Sequence, residues 1–248
     1  MARIESLWIE LILPRTPWEW KGALLDAFER NPTFAPTHWG QSARVREPYQ
    51  RDALERFCDE EGKQEDPSMP TLRRTQRPLY TADWSLGDGP GWLELQAQMM
   101  LEPEEAAPYF DFANQLASVL PLEFGLVDIA FEGAPRALAM NPSGRQHVDA
   151  YVECGPTTLF TRTYFGPRLI KLVGGLPVLE GSGGVVQRLA NGVVALDLVA
   201  NPWQVVEAKE LKQHQQQVLG KLLPTDIFMR RDELFSEPGP RWVPPPAP

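Results

Sequence analysis

A β-hairpin in the second half of the chain is the local feature that most constrains the fold. Two runs rich in β-branched residues, 185–189 and 193–199, are joined through Ala190-Asn191-Gly192. Asn-Gly supplies the two positive φ angles of a tight type I′ turn, whose twist matches that of paired strands. The sequence therefore predicts two antiparallel strands at this point.

The segments around this hairpin predict a sheet that is backed by helices. Residues 157–165 have the composition of a strand, and residues 167–173 that of a short helix. Asn201-Pro202 offers a capping side chain followed by proline at the first helical position, so we expect a long helix from there to Pro224. The second half therefore has the order β-α-β-β-α.

The first half predicts a similar alternation of strands and helices. Residues 4–13 are apolar enough for a central strand, and Thr16 opens a capping box for a helix. A second helix is expected over residues 49–61, and residues 63–78 are predicted as a long polar surface loop. A hairpin, a helix and a strand follow, at residues 80–86 with 93–99, 102–121 and 125–131.

These elements predict an α+β protein with one or two antiparallel sheets backed by helices on one face. Both halves contain the order βαββα, which suggests two ferredoxin-like units, although no residue-level repeat supports a duplication. We expect residues 1–131 and 132–235 to form the two halves of one compact domain. Residues 236–248 are rich in proline and are predicted as a disordered tail.

The charge of the chain narrows the classes of partner. With 33 acidic and 24 basic residues, the net charge is −9, which disfavours direct binding to nucleic acid or to an anionic membrane. A basic protein partner suits this charge, although solubility alone also accounts for it. No apolar run has membrane-spanning length, and residues 4–13 do not predict a signal peptide. Cys58 and Cys154 lie far apart, which fits reduced thiols in a cytoplasmic protein.

Residue patterns for catalysis are sparse. Asp197, Glu207 and Lys209 imitate the spacing of a metal-dependent nuclease, in which Asp and Glu hold Mg²⁺ and Lys helps to activate water. That chemistry needs the Glu and the Lys on a strand beside the Asp strand, whereas here a helix is predicted. The three histidines share no metal-ligand spacing. We therefore expect no enzyme activity, cofactor or bound metal, and a metal-dependent hydrolase remains the alternative.

One stretch of the second half resembles a known family. Residues 160–175 read FTRTYFGPRLIKLVGG, and the Asn-Gly turn, Asn201-Pro202 and the long helix follow in the same order. This arrangement, over residues 131–228, resembles that of bacterial immunity proteins encoded beside polymorphic and type VI secretion toxins. The resemblance consists of glycines and apolar residues that form the fold, so it assigns no catalytic residue to this chain.

The resemblance implies a stoichiometric inhibitor of a protein toxin. Such a protein binds its cognate toxin in the cytosol and neutralises it by occluding the active site. A basic toxin, such as a nuclease or another nucleotide-directed enzyme, suits the acidic chain, and the inhibitor itself is expected as a monomer or a homodimer. A structural component of a secretion system is a further alternative, which predicts self-association without a toxin.

Two polar surfaces are the candidate toxin contacts. The first is an acidic run at the end of the helix at residues 49–61. The second is the polar face of the strand at residues 93–99, where strict alternation predicts one packed and one solvated face. The candidate residues are Asp59, Glu60, Glu61, Glu65 and Asp66 in the run, and Glu94, Gln96 and Gln98 on the strand.

Overall fold

A computed structural model describes residues 3–41, 45–135, 138–140, 146–205, 207–231 and 236–246. In these ranges ten strands form one antiparallel sheet, and seven α-helices accompany it. The strands are β1 (Ile4–Leu13), β2 (His38–Gln41), β3 (Glu47–Pro48), β4 (Pro70–Arg74), β5 (Tyr80–Trp84), β6 (Gly91–Ala97), β7 (Phe124–Phe131), β8 (Arg162–Phe165), β9 (Val185–Arg188) and β10 (Val194–Asp197). The helices are α1 (Lys21–Glu29), α2 (Arg51–Glu61), α3 (Pro103–Val119), α4 (Val148–Cys154), α5 (Pro167–Leu172), α6 (Leu176–Glu180) and α7 (Ala208–Leu222). A separate two-stranded ribbon consists of β11 (Arg230–Arg231) and β12 (Ser236–Glu237).

The order of strands across the sheet is β3-β2-β4-β5-β6-β1-β7-β8-β10-β9. The predicted βαββα units account for most of it, because β5-β6-β1 in the first half corresponds to β9-β10-β8 in the second. Strand β7 pairs with β1 on one side and with β8 on the other, so backbone hydrogen bonds join the two halves in one sheet. The predicted α+β class and antiparallel sheet are confirmed.

Helices from the two halves lie on opposite faces of this sheet. Tyr80 packs against Phe28 of α1, with ring centroids 5.9 Å apart, and Phe28 contacts Phe112 of α3. Phe124 stacks on Tyr151 of α4, with ring centroids 5.2 Å apart. Because side chains alternate along a strand, the pairing of β5, β6, β1 and β7 places Tyr80 and Phe124 on opposite faces. The prediction that all helices lie on one face of the sheet is therefore wrong. Helices α1 and α3 lie on one face, and α4 covers the opposite face.

The β9–β10 hairpin forms as predicted, but its turn is of a different kind. The N–H of Leu189 donates to the carbonyl of Val193 (2.8 Å), which closes a three-residue loop. Gly192 has a φ of 85°, whereas Asn191 is outside the set of positive-φ residues, so the type I′ prediction is wrong. The side-chain amide of Asn191 instead donates to two carbonyls at the C-terminal end of α3, at 2.7 and 3.1 Å. These bonds satisfy acceptors that the helix itself leaves open.

The long helix α7 begins later than predicted. Pro202–Gln204 forms a single 3-10 turn, and the α-helix begins only at Ala208. Asn201 has a φ of 50°, and its side chain makes no capping hydrogen bond. The ring of Trp203 packs against Phe110 of α3, with centroids 5.0 Å apart. Tertiary packing therefore overrides the local start signal.

Two other segments differ in type from their prediction. The predicted surface loop at residues 63–78 contains β4, which pairs with both β2 and β5. Thr71 and Leu72 are buried there, so strand pairing and burial override a polar, proline-containing sequence. Residues 157–161 precede β8 rather than belonging to it.

Part of the proline-rich tail packs against the core. Trp242 is only 8% exposed, and its indole N–H donates to a backbone carbonyl of α4 at 3.2 Å. Its ring meets Tyr151 edge-on with centroids 5.1 Å apart, and the Arg168 guanidinium lies over the Trp242 ring at 5.1 Å. The sequence predicts disorder for residues 236–248. Within residues 236–246 the structure instead shows a packed segment, because the Trp242 side chain anchors it to α4.

A buried carboxylate, that of Asp128, lies on β7 where the two halves meet. Asp128 is 2% exposed and accepts hydrogen bonds from the hydroxyl (2.8 Å) and the N–H (3.4 Å) of Thr161. Burial raises the pKa of Asp128 to about 7, and the bonds from Thr161 together with the charge of Lys212 on α7 offset only part of that rise. The folded protein therefore holds this proton more tightly than the unfolded chain does.

We predict that this group makes the free energy of unfolding depend on pH. A carboxyl group whose pKa is higher in the folded protein than in the unfolded chain stabilises the fold at pH values below its unfolded pKa. That stabilisation is lost as the pH rises through about 7, the pKa of Asp128 in the folded protein. Relative to Asp128→Asn, the wild type should therefore lose stability between pH 5 and pH 8, by at most about 1.4 kcal/mol per pH unit within the window. Urea unfolding of both proteins at several pH values measures this difference. A difference that stays constant with pH contradicts the prediction.

Candidate functional site

The sheet face opposite to α1 and α3 carries polar side chains in the first half of the chain. Strand register arranges them in two cross-strand rows. The rows are Arg73, Thr81, Gln96 and Trp8, and, beside it, Thr71, Asp83, Glu94 and Glu10. Together with Trp92 and Gln98 on the same side, these rows form a surface that we call the open sheet face. We define it by Thr71, Arg73, Thr81, Asp83, Trp92, Glu94, Gln96 and Gln98.

The open sheet face is concave. A depression of about 550 Å³ extends over it, and Val45 and Met69 also line this depression. A second depression, of about 300 Å³, lies between Trp92, Glu94 and residues 147–149 at the start of α4. Trp92 and Glu94 line both depressions, which therefore adjoin each other, and we refer to the two together as the groove.

The charges along this groove are mostly negative. Among the described lining residues, Glu10, Asp83, Glu94 and Asp149 are acidic and Arg73 is basic. The carboxylate of Asp83 accepts a hydrogen bond from the Thr71 hydroxyl, and Glu10 and Glu94 are also engaged within the chain.

Polar contacts within the sheet order part of this surface. The side-chain amide of Gln98 donates to the Thr81 hydroxyl at 3.1 Å. Thr71 is buried, whereas Arg73 and Gln98 are exposed and Gln96 is half-buried. The groove therefore presents a preformed, polar and net acidic floor with one indole, that of Trp92, at its middle.

The acidic run predicted as a contact lies elsewhere on the molecule. It begins in the last turn of α2 and continues beyond it, and Phe57 of α2 packs on Trp39 with ring centroids 5.6 Å apart. Trp39 pairs with Leu72, so α2 is on the helix-covered face, opposite to the open sheet face. The structure brings Glu94, Gln96 and Gln98 together but separates them from the acidic run. A flat partner surface cannot cover both groups at once.

Two members of the acidic run already have partners. Both oxygens of Asp59 accept from the Lys21 ammonium (2.8 and 2.9 Å), and one also accepts from the Trp18 indole N–H (2.7 Å). The hydrogen bond from Lys21, and then that from Trp18, hold the pKa of Asp59 below its usual value. Glu61 accepts from the N–H of Ser68 at 2.9 Å. Glu60, Glu65 and Asp66 are exposed.

Asp197, the centre of the alternative metal site, has a structural role. Its two carboxylate oxygens accept from Arg162 Nε (2.6 Å) and Nη2 (2.7 Å), in a pair whose members are 7% and 4% exposed. Burial by itself lowers the pKa of the Arg162 guanidinium, but the hydrogen bond to Asp197 raises it above its ordinary value. Glu207 is at the N-cap of α7, and Glu207 and Lys209 are exposed.

These positions do not assemble the chemistry of a metal-dependent hydrolase. In the ranges that the structure describes, no group of three or more His, Cys, Asp or Glu side chains is arranged to hold a metal ion. A carboxylate whose two oxygens already bind a guanidinium is also a poor metal ligand, because the cation has to displace that partner. The alternative is therefore not supported by the geometry.

The sequence prediction missed several side chains of the groove. Trp92 belongs to the same alternation as Glu94 and was available from the pattern alone. Asp83 and Arg73 needed the register of neighbouring strands, and Asp149 needed α4, a seven-residue helix that no cap or strong periodicity marks.

Comparisons with known proteins find similarity at the level of the fold. The sequence matches no protein-family model and no curated protein. The fold is similar to that of the Pseudomonas aeruginosa type VI secretion system (T6SS) protein PA0821, with a TM-score of 0.52 and 14% identity over 89% of this chain and 77% of that chain. The duplicated taurocyamine kinase from Schistosoma mansoni aligns with a TM-score of only 0.32 and 13% identity, over 91% of this chain and 33% of that chain, and carries no argument. At such identities the similarity concerns the fold alone. None of the helices in the described ranges combines the length and apolar character that a membrane crossing needs.

We predict that Asp197→Ala acts on stability. Removing one partner of a buried ion pair leaves an uncompensated charge and costs about 3–5 kcal/mol. Urea unfolding should show this loss, whereas Glu207→Ala and Lys209→Ala, at exposed positions, should change stability by no more than about 0.5 kcal/mol. If Asp197→Ala is as stable as the wild type but abolishes Mg²⁺ binding by the purified protein, the structural role is refuted and the hydrolase alternative returns.

Proposed function

We propose that this chain is an immunity protein that binds a cognate secreted toxin and neutralises it by occluding the active site. The observation that carries the proposal is the open sheet face, a concave and preformed polar surface that the described helices leave accessible. A protein that works by stoichiometric binding needs such a surface and needs no catalytic constellation. We accordingly propose that the chain is not an enzyme.

The structural similarity supports a role connected with type VI secretion. The protein with the similar fold is described as a T6SS protein of Pseudomonas aeruginosa, and the alignment covers most of both chains. The sequence resemblance to immunity proteins, which concerns residues 131–228, points to the same biological setting. Both observations concern similarity of fold, and toxin neutralisation itself is tested by co-expression with the toxin.

The charge of the chain supports a basic toxin that acts in the cytosol. A net charge of −9 attracts a cationic protein over several ångströms and repels nucleic acid. Such attraction increases the rate of association, while desolvated contacts at the centre of the interface set the rate of dissociation. A nuclease or another nucleotide-directed toxin fits this description, because its substrate-binding surface is itself basic.

We predict that a neighbouring gene encodes a toxin-like protein and that the present protein rescues a bacterial host from it. Expression of that neighbour alone should arrest growth, and co-expression should restore growth and yield a complex that co-purifies. The variant Lys209→Ala, at an exposed position outside the open sheet face, serves as a control and should rescue fully. A neighbour that is harmless, or continued growth arrest in the presence of soluble protein, contradicts the proposed function.

A further inference from the structure

We propose that the open sheet face is the docking surface, and that it receives a cationic segment of the partner whose arginine or lysine side chain lies against Trp92. This inference rests on the proposed function and specifies which surface acts and what it binds. The two predicted contact regions lie on opposite sides of the sheet, so the structure requires a choice between them.

Shape favours the open sheet face over the acidic run. The groove consists of two adjoining depressions of about 550 and 300 Å³, which offer room for several side chains of a partner. Most of its lining lies on the paired strands β4, β5 and β6, so little ordering is needed on binding. A preformed surface loses less conformational entropy when it associates.

Charge complementarity specifies the chemistry of the occupant. Four of the five charged side chains in the described lining are acidic, and Asp83, Glu94 and Glu10 are consecutive in one cross-strand row. These three carboxylates have other interactions within the chain. The electrostatic potential at the groove is therefore negative and favours a cationic side chain. This attraction does not require a carboxylate that lacks other partners.

Trp92 provides the anchor. It is half-buried, and it lines both depressions, so any occupant of the groove passes over or beside its ring. An indole face attracts a guanidinium or ammonium group, and tryptophan is enriched among the residues that dominate binding energy at protein interfaces. Asp149 and Glu94 line the smaller depression together with Trp92. A cation that stacks on Trp92 there shares the depression with two carboxylates.

The acidic run offers a weaker site by the same criteria. Asp59 is held by Lys21 and Trp18, and the run lines none of the depressions described above. Its exposed charges are separately solvated at the end of a helix. Exposed ion pairs of that kind contribute little, because solvent screens them and long side chains must be ordered.

Binding of a catalytically inactive variant of the neighbouring toxin-like protein tests this inference. Surface plasmon resonance compares the wild type with Trp92→Ala, Asp149→Lys and the double variant Glu60→Lys/Glu65→Lys, which serves as the matched control on the opposite face. We expect Trp92→Ala to weaken binding by at least about tenfold. Asp149→Lys should slow association and reduce its dependence on salt, whereas the control should leave the dissociation rate unchanged.

The outcomes separate this inference from the proposed function. If the wild type does not bind, the proposed function fails. If the wild type binds, and Trp92→Ala and Asp149→Lys bind equally well, the docking surface is wrong although the function stands. A loss confined to the control variant reassigns docking to the acidic run. Circular dichroism establishes that each variant is folded, and if Trp92→Ala is not, Trp92→Gln and Asp149→Lys decide the question.

Discussion

The buried pair of Arg162 and Asp197 is a side-chain interaction that links the two halves, which β7 already joins in one sheet. Arg162 on β8 binds both carboxylate oxygens of Asp197 on the neighbouring strand β10. Its remaining nitrogen donates to the carbonyl of Phe110 (3.0 Å) and to the side chain of Asn114 (3.1 Å), both on α3 of the first half. One guanidinium therefore ties a first-half helix to second-half strands. A buried pair of this kind need not add net stability, but it penalises every arrangement in which the charges are separated.

This joint determines which surfaces remain accessible. With α3 held over one face of β7 and β8, α4 of the second half covers the other face, as the contact between Phe124 and Tyr151 shows. The same face in the first half, over β4, β5 and β6, retains polar side chains and a groove. The open sheet face is thus a consequence of two similar units that share one sheet but place their helices on opposite sides. We propose a cationic protein as the partner of this face.

Sequence patterns predict the elements of this protein better than their arrangement. Strict alternation along β6 correctly predicts that Glu94 and Gln96 share a face, because a strand has a period of two. The pattern contains no information on which side of the sheet α2 packs, so the acidic run and Glu94 could not be separated from sequence. Asn201 and Asn191 carry helix and turn signals that tertiary contacts override, namely the packing of Trp203 on Phe110 and the capping of α3. The ion pair of Asp197 depends on a strand register that no local pattern contains.

Oxidative footprinting of the complex with the neighbouring toxin-like protein tests the central claim most directly. Hydroxyl radicals modify accessible Trp and Met side chains, and mass spectrometry compares their modification in the free protein and in the complex. We expect Trp92 and Met69 to become protected in the complex; Met69 is 43% exposed in the free protein. Trp18, which lies beside the acidic run, should keep its reactivity. Unchanged modification of Trp92 and Met69 in a stable complex, with protection at Trp18 instead, contradicts it.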